Sequence, residues 1–487
     1  MPARSARLVY ARGVDFRSCV VCAVVGALSF ACTTKNPEFC CSSVDSCGAV
    51  GAAGVVMCNG AGSRPFCDDL GAFGAAHTCV ADPTAPVCDD TLDCTTPGRP
   101  VCDVSDTGTC MGCAVGADCA RFPGLALCHP TSGACVECTG AEHCLATDQP
   151  ICGSGGACRG CTADAECAAG VCDEPVGACV AEADIIYVDR ATGAGTACMR
   201  LAPCLTMSAG VAAPGPRRWM VVAAGDYSET VTLDGRAMTF IGPGVSLRPA
   251  AFDMPAMLVL NASAVRLEGL RLYSAGGNAN GDGVRCAAPT SGTPTLAMVG
   301  VRIDGNVGFG VDANSCAVTI TASTIVGNTG GGVSISDGSF AITNTFITGN
   351  GANTAIGGVR LSANDASSVF AFNTVADNVA GGGIAEALIC TSVQPQRIAN
   401  NILAGSDPTQ VSFTNCDFEF NLSNQGLGGS GNVTATPMFV GGTDFHLTLS
   451  SEGVDDADPS ATLAVDFDGH ARPQGNRRDI GADEVVP

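Results

Sequence analysis

A 22-residue repeat runs through the second half of the sequence. It is clearest between Thr319 and Asn350, which read TITASTIVGNTGGGVSISDGSFAITNTFITGN. Isoleucine returns at one offset as Ile303, Ile325 and Ile347, and each is followed by a Gly-Asn pair. Such a period, with Gly-Asn pairs between short alternating segments, is typical of a solenoid, in which each coil is too small to own a core and neighbouring coils share one.

The residues inside the repeat indicate strands. Val, Ile and Thr dominate the coils, and β-branched side chains favour strands over helices, while the Leu scaffold of a leucine-rich repeat is absent. We therefore predict an all-β fold, a right-handed parallel β-helix solenoid of on the order of ten coils. Gly327 and Gly349 supply permissive backbone at the corners. The asparagines beside them are predicted to adopt a left-handed or side-chain-bonded turn conformation.

Cysteine is concentrated in the first half of the chain. Of the 31 cysteines, 22 lie between Cys40 and Cys179. Part of this region repeats a C-x2-C-x5-C-x(4–8)-C unit that begins at Cys110, Cys135 and Cys158. An earlier copy without the first pair consists of Cys88, Cys94 and Cys102. Units of this size bury little apolar surface, so we predict disulfide staples formed in an oxidising compartment. Zinc at the C-x2-C pairs is the alternative.

The N-terminus has the pattern of a secretory signal peptide. Four arginines precede a 13-residue apolar run, Cys19 to Ala31, which is too short to span a bilayer comfortably. The end of the run, LSFAC, resembles a bacterial lipoprotein signal, and the resemblance implies that Cys32 is lipidated. Removing Cys19 and Cys22 from the 31 cysteines leaves 29, and acylation of Cys32 makes the remaining number even, so that all can pair. The alternative is plain secretion.

The last six cysteines lie in the repeat region and fall into three pairs, Cys198 with Cys204, Cys286 with Cys316, and Cys390 with Cys416. The first pair brackets a small loop. The other two pairs are 30 and 26 residues apart, near the length of one coil. We therefore predict that adjacent coils bring the members of each pair within disulfide distance.

Two segments resemble the pectin-lyase-like superfamily of right-handed β-helix proteins. The stretch IYVDRATGAGTACMRLAPCLTMSAGV from Ile186 resembles the opening of its bacterial members, and Asp444 to Glu484 resembles the C-terminal signature of its extracellular, often surface-anchored members. The signature match consists of Asp466, Asp468, Gly469, Arg472, Pro473, Gly475, Asp479, Ile480, Gly481 and Glu484. The Cys-rich repeats resemble those common in bacterial surface proteins. We predict a signal peptide (1–31), a Cys-rich region (32–182), the β-helix (183–443) and a C-terminal capping segment (444–487).

The resemblance implies where a catalytic site would lie, since polysaccharide lyases on this fold use several carboxylates on one face to hold Ca²⁺, with Arg or Lys as base. Aligned coils place Arg285, Asp312, Ser334 and Arg360 in one outward column. We interpret Arg285 and Asp312 as an ion pair between neighbouring rungs, which contributes little to stability on a surface. No converging set of catalytic residues is identified.

Five carboxylates near the C-terminus are candidate Ca²⁺ ligands: Asp455, Asp456, Asp458, Asp466 and Asp468. Carboxylate oxygens suit this ion. However, no EF-hand loop is complete, because the required spacing and the final Glu are missing. The alternative is that these residues form turns and caps, and no other cofactor is predicted.

The net charge of the chain limits the kinds of partner that it can bind. A formal net charge of −23 argues against nucleic acid as a partner, because a phosphate backbone needs a basic surface. We predict an exported lipoprotein of the outer membrane or cell surface, held to the membrane by the lipid at Cys32 and serving adhesion or recognition without catalysis. Its expected partners are a polysaccharide or another surface protein. The alternatives are free secretion and a lyase-like carbohydrate-active enzyme.

Overall fold

The structure is a computed structural model. It describes residues 88–486 apart from 105–107, 278–279, 288–289, 291, 353–355, 363–364, 383 and 406–408, together with two paired strands, Phe66–Asp68 and Thr78–Val80. The chain divides into two compact units between Cys179 and Val180. The predicted signal peptide and Cys32 lie outside the described residues. Among the described residues, no helix has the length and apolar character that crossing a membrane requires.

The second unit is built from three columns of parallel strands. Sheet A contains Val231–Asp234, Met257–Leu260, Val284–Ala287, Phe309–Asn314, Gly331–Ser336 and Val359–Ser362. Sheet B contains Ile185–Val188, Trp219–Val222, Ala237–Ile241, Ala264–Glu268, Thr295–Val299, Ala317–Thr321, Phe340–Thr343 and Val369–Ala371. Two long strands, Leu388–Ala399 and Val411–Glu419, then run through both sheets and join them. The helix Met207–Val211 precedes most of the coils.

Sheet C has ten strands and forms the third side of the coils. Its members are Gly225–Ser228, Val245–Arg248, Arg271–Tyr273, Arg302–Asp304, Thr324–Val326, Phe346–Thr348, Thr374–Ala376, Ile402–Leu403, Leu422–Ser423 and Val433–Thr434. Each strand pairs in parallel with the equivalent strand of the next coil. The prediction of an all-β parallel β-helix preceded by a disulfide-rich region is therefore confirmed.

The interior is filled by the aliphatic residues of the repeat. Ile303 pairs in register with Ile325, and Ile325 with Ile347. All three side chains are buried in one continuous core. Burying an aliphatic side chain of this size stabilises a fold by roughly 1.5–3 kcal/mol, so each coil gains its stability from contact with its neighbours.

The corner between sheets C and A carries a ladder of buried asparagines. Its members are Asn306, Asn328, Asn350 and Asn378, and each side-chain amide donates to the side-chain carbonyl of the next. The left-handed backbone conformation belongs to the preceding glycines, as at Gly327 with φ of 66° and Gly349 with φ of 61°. Of the two predicted turn conformations, the asparagines thus use the side-chain-bonded one.

A second asparagine ladder lies at the corner between sheets B and C. It consists of Asn373, Asn401, Asn421 and Asn432. The spacing in sequence falls from 28 to 20 to 11 residues, so the repeat pattern did not reveal it. Both ladders satisfy backbone groups that would otherwise be buried without a partner, because seven of the eight amides, all but that of Asn306, also donate to a carbonyl of the preceding coil, as Asn373 does to Ile342.

The C-terminal segment packs against the corner between sheets B and C. It opens with the antiparallel hairpin of Phe439–Gly441 and Asp444–Leu447. Hydrogen bonds hold it to successive coils, among them those from Asn344 to the carbonyl of Val465, from the backbone of Ala482 to Thr374, and from the backbone of Gly481 to Asn400. Inside the segment, Arg472 is buried against Glu484 with Nη1 and Oε2 3.2 Å apart.

Between residues 88 and 179 the first unit contains modules with two crossed disulfides each. The pairs are Cys88–Cys102 with Cys94–Cys110, Cys113–Cys128 with Cys119–Cys135, Cys138–Cys152 with Cys144–Cys158, and Cys161–Cys172 with Cys167–Cys179. In these described modules the cysteine sulfurs bond to each other. The cysteines of residues 88–179 are therefore disulfide-bonded, as predicted, and are not zinc ligands.

The modules correct the predicted frame of the cysteine repeat. They begin at Cys88, Cys113, Cys138 and Cys161, so C-x2-C joins two modules and does not open one. Each module ends in a short antiparallel hairpin: Val101–Cys102 with Cys110–Met111, Leu127–Cys128 with Cys135–Val136, Ile151–Cys152 with Cys158–Arg159, and Cys172–Asp173 with Ala178–Cys179. The hairpin places the third and fourth cysteines side by side, and each bonds back to an earlier one. The 3-10 turns of the described chain are Thr91–Asp93, Gly116–Cys119, Ala141–His143, Asp164–Glu166 and Glu182–Asp184.

Candidate binding site

Sheet A presents a polar column on its outer side. Arg285, Asp312, Ser334 and Arg360 are register partners on four consecutive strands. The side chains alternate with inward-facing residues such as Val311, as expected for strands with one buried face. The column predicted from the sequence is therefore present, with one polar side chain on each rung.

A fifth residue, Asp282, joins this column from the loop before the strand Val284–Ala287. Its side chain is 0 % exposed. One carboxylate oxygen accepts a hydrogen bond from the backbone amide of Phe309 at 2.7 Å, and the other forms an ion pair with Arg285. Arg285 also lies 3.6 Å from Asp312, measured from Nε to Oδ2. One guanidinium thus holds two carboxylates together, and the pair interpreted from the sequence as a simple surface contact is part of a half-buried triad.

Burial changes the ionisation of both carboxylates. It raises the pKa of Asp282 to about 6, although Arg285 and the Phe309 amide favour the charged form. Burial also raises the pKa of Asp312, while Arg285 and Arg360 act in the opposite direction. Asp282 therefore exchanges its proton near pH 6, in a range that is useful for proton transfer and is common at functional sites.

Ser334 adds hydrogen-bonding capacity on the next rung. It is 1 % exposed, and its hydroxyl has no hydrogen-bond partner among the described residues. Buried hydroxyls normally have a partner. Arg360, on the following strand, is exposed. The groups of the column that a ligand lying along the coils can reach are therefore Arg285, Asp312 and Arg360, while Ser334 is buried between them.

The column does not fit the Ca²⁺ site that the family resemblance implies. Ca²⁺ takes six to eight oxygen ligands. Here only Asp282 and Asp312 supply carboxylates, and Arg285 lies against both. A fixed positive charge in that position repels a cation, so these residues do not form a Ca²⁺ site.

The five carboxylates predicted as Ca²⁺ ligands are held by several different groups. Asp455 accepts from the backbone amide of Arg477, and Asp456 pairs with the Arg477 guanidinium at 2.5 Å. Asp458 pairs with Arg397 at 2.5 Å and caps the backbone of Ser460.

The other two lie further along the segment. Asp466 accepts from the backbone amides of Asp468, His470 and Glu484, and Asp468 contacts His446. All five carboxylates thus already have partners in the protein, as turn and capping residues do. Ca²⁺ binding at these residues stays a prediction.

The six cysteines predicted to pair in the β-helix are bonded as Cys198–Cys204, Cys286–Cys316 and Cys390–Cys416. The last two pairs link neighbouring coils. Cys286 lies on the strand Val284–Ala287 and is the next inward-facing residue after Val284, so this bond anchors the strand that carries Arg285.

Comparisons with known proteins give limited information. No family model and no curated protein matches the chain. Among solved structures, pectate lyase Pel9A is 15 % identical, with a TM-score of 0.34 over 62 % of this chain and 100 % of that one. XylC in complex with xylose is 8 % identical, with a TM-score of 0.34 over 55 % and 65 %. A double variant of a pectate lyase from Xanthomonas campestris is 11 % identical, with a TM-score of 0.24 over 48 % and 78 %. Because these similarities are weak, the assignment of the fold rests on the strand registers described above.

Proposed function

We propose that this chain is an exported surface protein whose β-helix recognises an extended polysaccharide along the outer side of sheet A. The observation that carries the proposal is the column of Arg285, Asp312 and Arg360, whose side chains reach the surface, with Asp282 and Ser334 buried beside them. Rungs are about 4.8 Å apart, a spacing similar to the length of one sugar in an extended chain. Successive rungs would therefore meet successive sugars.

The chemistry of the column suits sugar hydroxyls and carboxylates. Carboxylates accept hydrogen bonds from hydroxyl groups, and guanidinium groups donate to hydroxyls and to acidic sugars. Another surface protein is the alternative ligand.

Export is supported by the cysteine chemistry of the described residues. Eleven disulfides join them, from Cys88–Cys102 to Cys390–Cys416. Disulfides in such numbers form and persist in oxidising compartments. A signal peptide over residues 1–31 would direct the chain there.

A lipid on Cys32 would then hold the protein to the outer membrane or cell surface. We expect a radiolabelled fatty acid to be incorporated into the full chain in a bacterial host and to be absent from Cys32→Ser. Cys198→Ser is the matched control and should keep the label. Equal labelling of the wild type and Cys32→Ser would show that the lipid is elsewhere, and no labelling at all would favour free secretion.

The sugar-binding proposal is tested with the full, disulfide-bonded chain and immobilised pectin, alginate and glycosaminoglycans. We expect at least one of them to bind, and Arg285→Ala to weaken that binding by about tenfold or more, because a hydrogen bond to a charged group contributes about 1.5–3 kcal/mol. The matched control is Arg266→Ala. Arg266 is a comparably exposed arginine that pairs with Glu268 on sheet B, and its loss should leave binding unchanged. Absence of binding to every polymer, or equal effects of both substitutions, would contradict the proposal.

The same samples test the enzymatic alternative. The specific observation that favours it is the buried Asp282, whose pKa of about 6 suits a general acid or base. If the protein is a lyase-like enzyme, bound polymers should be shortened and unsaturated sugar ends should appear, and Asp282→Asn should abolish them. If it is a recognition protein, polymers should be bound without being cleaved.

A further inference from the structure

The C-terminal segment contains a cluster of one histidine and three carboxylates that the sugar-binding proposal does not use. His446 lies on the hairpin strand Asp444–Leu447, Asp468 lies in the loop after Val465, and Asp483 lies near the end of the chain. His446 and Asp468 have side chains 35 % and 38 % exposed, while Asp483 is 6 % exposed. The cluster is therefore open to solvent on one side and buried on the other.

The imidazole of His446 faces a carboxylate at each ring nitrogen. Its Nδ1 lies 2.5 Å from Oδ1 of Asp444, and its Nε2 lies 2.9 Å from Oδ2 of Asp468. A neutral imidazole carries a single N–H, so it can donate to only one of them. The other contact is favourable in two cases: when the imidazole is protonated and donates from both nitrogens, or when a cation bound beside that nitrogen separates it from the carboxylate oxygen.

The distances around Nε2 suit a bound metal ion. One ligand atom each from His446, Asp468 and Asp483 lies within 4.8 Å of the other two. We propose that these three residues form a site for a divalent transition metal ion of the Zn²⁺ type, with Asp444 holding the opposite ring nitrogen. Zinc is commonly bound by imidazole nitrogen and carboxylate oxygen at about 2.0–2.2 Å.

The surroundings hold the ligands in place. In the proposed site Asp444 accepts the Nδ1 proton, the arrangement that most metal-binding histidines show, and this leaves Nε2 free to coordinate. The rings of Phe346 and Phe467 pack against the imidazole with centroids 5.1 and 6.2 Å away. The backbone amide of Leu447 donates to Asp483 at 2.7 Å. The ligands thus come from separate parts of the segment, each fixed by its own contacts.

The donor set distinguishes this site from the predicted Ca²⁺ ligands, with which it shares only Asp468. Ca²⁺ prefers oxygen donors alone and more of them, whereas imidazole favours zinc, copper, nickel and iron. Three protein ligands with an exposed side leave room for a water molecule on a tetrahedral ion.

The proposal is tested by calorimetric titration of the full chain, first stripped of metal with a chelator, with Zn²⁺ and separately with Ca²⁺. We expect Zn²⁺ to bind at one site that Asp468→Asn and His446→Gln each weaken at least tenfold, with Ca²⁺ bound more weakly there. Asp444→Asn should weaken Zn²⁺ binding by about 10- to 100-fold, because it removes the partner of Nδ1. Zn²⁺ should also raise the melting temperature of the wild type.

His470→Gln is the matched control. His470 lies in the same segment and contacts a single carboxylate, Asp466, at 3.3 Å, so its loss should leave Zn²⁺ binding unchanged. Near-ultraviolet circular dichroism establishes that each variant keeps the native packing. Zn²⁺ affinity that is the same in the wild type, Asp468→Asn and His446→Gln would overturn the site, as would the absence of binding by the wild type. Neither result depends on whether the chain binds a polysaccharide.

Discussion

Reduction of the disulfides is expected to unfold residues 88–179 while the β-helix stays folded. The buried clusters of the first unit consist almost entirely of cysteine, as in the cluster of Cys88, Cys94, Cys102 and Cys110. Each bridge stabilises a fold by roughly 2–4 kcal/mol through its effect on the unfolded chain. Without the bridges, little apolar burial remains to offset the chain entropy.

The β-helix has a different source of stability. Its core cluster contains aliphatic residues from almost every coil, with only six cysteines among them. Hydrogen exchange of the full chain, with and without a reductant, measures the two units in one sample. Peptides from 88–179 should lose their protection, and peptides such as 317–348 should retain it. Continued protection of the first unit after mass spectrometry has shown all its thiols to be free would contradict the prediction.

Two controls test whether the disulfides themselves keep the first unit folded. A chelator without reductant should leave the protection unchanged, because the described sulfurs bond to each other rather than to zinc. Replacing both Cys113 and Cys128 by Ala should unfold the module that they close. Replacing both Cys198 and Cys204, which close a loop with a separation of only 6 residues, should cost less, because a short loop restricts the unfolded chain less.

The β-helix could be predicted because its coils obey one local rule. An inward aliphatic residue must recur wherever the chain returns to the same place, so Met298, Ile320, Ile342, Phe370 and Ile398 align in the sequence and pair in the structure. Ten strands in sheet C match the expected number of coils. Periodicity of this kind survives the insertions between coils, since loops lengthen without moving the strands that follow.

The frame of the cysteine modules could not be predicted from spacing. Four cysteines allow three pairings. The close spacing of C-x2-C suggests that this pair opens a module, whereas its two cysteines belong to neighbouring modules. Each module is defined instead by its terminal hairpin, whose two-residue strands, such as Leu127–Cys128 and Cys135–Val136, are too short to leave a pattern in the sequence.

Asp282 was missed for a related reason. The register that pairs Val284 with Val311 places Asp282 at the offset of Phe309, and the next residue at that offset is Gly331. No carboxylate recurs there, so a search for columns of similar residues finds Arg285 and Asp312 without the acid that lies against them. A functional residue that interrupts a repeat carries no periodic signal.

The asparagine ladder between sheets C and A leads to the second large expected effect. Asn328 is fully buried. Its amide donates to the carbonyl of Ile303 at 3.1 Å and to the side chain of Asn350 at 2.9 Å. Its carbonyl accepts from the backbone and the side chain of Asn306 at 3.2 and 2.7 Å. Truncation to Ala would leave groups on both neighbouring coils buried without partners.

We expect Asn328→Ala to lower the free energy of unfolding of the β-helix by about 4 kcal/mol, because each buried polar group that loses its partner costs about 1–3 kcal/mol. Urea denaturation followed by far-ultraviolet circular dichroism measures the change. The matched control is Asn314→Ala, on the exposed side of sheet A, which should change stability by less than about 0.5 kcal/mol. Asn350→Ala should act like Asn328→Ala, and the double variant should cost less than the sum of the two, because the residues share a hydrogen bond. Equal stability of Asn328→Ala and Asn314→Ala would mean that water replaces the ladder without loss, and that the aliphatic core alone holds the coils together.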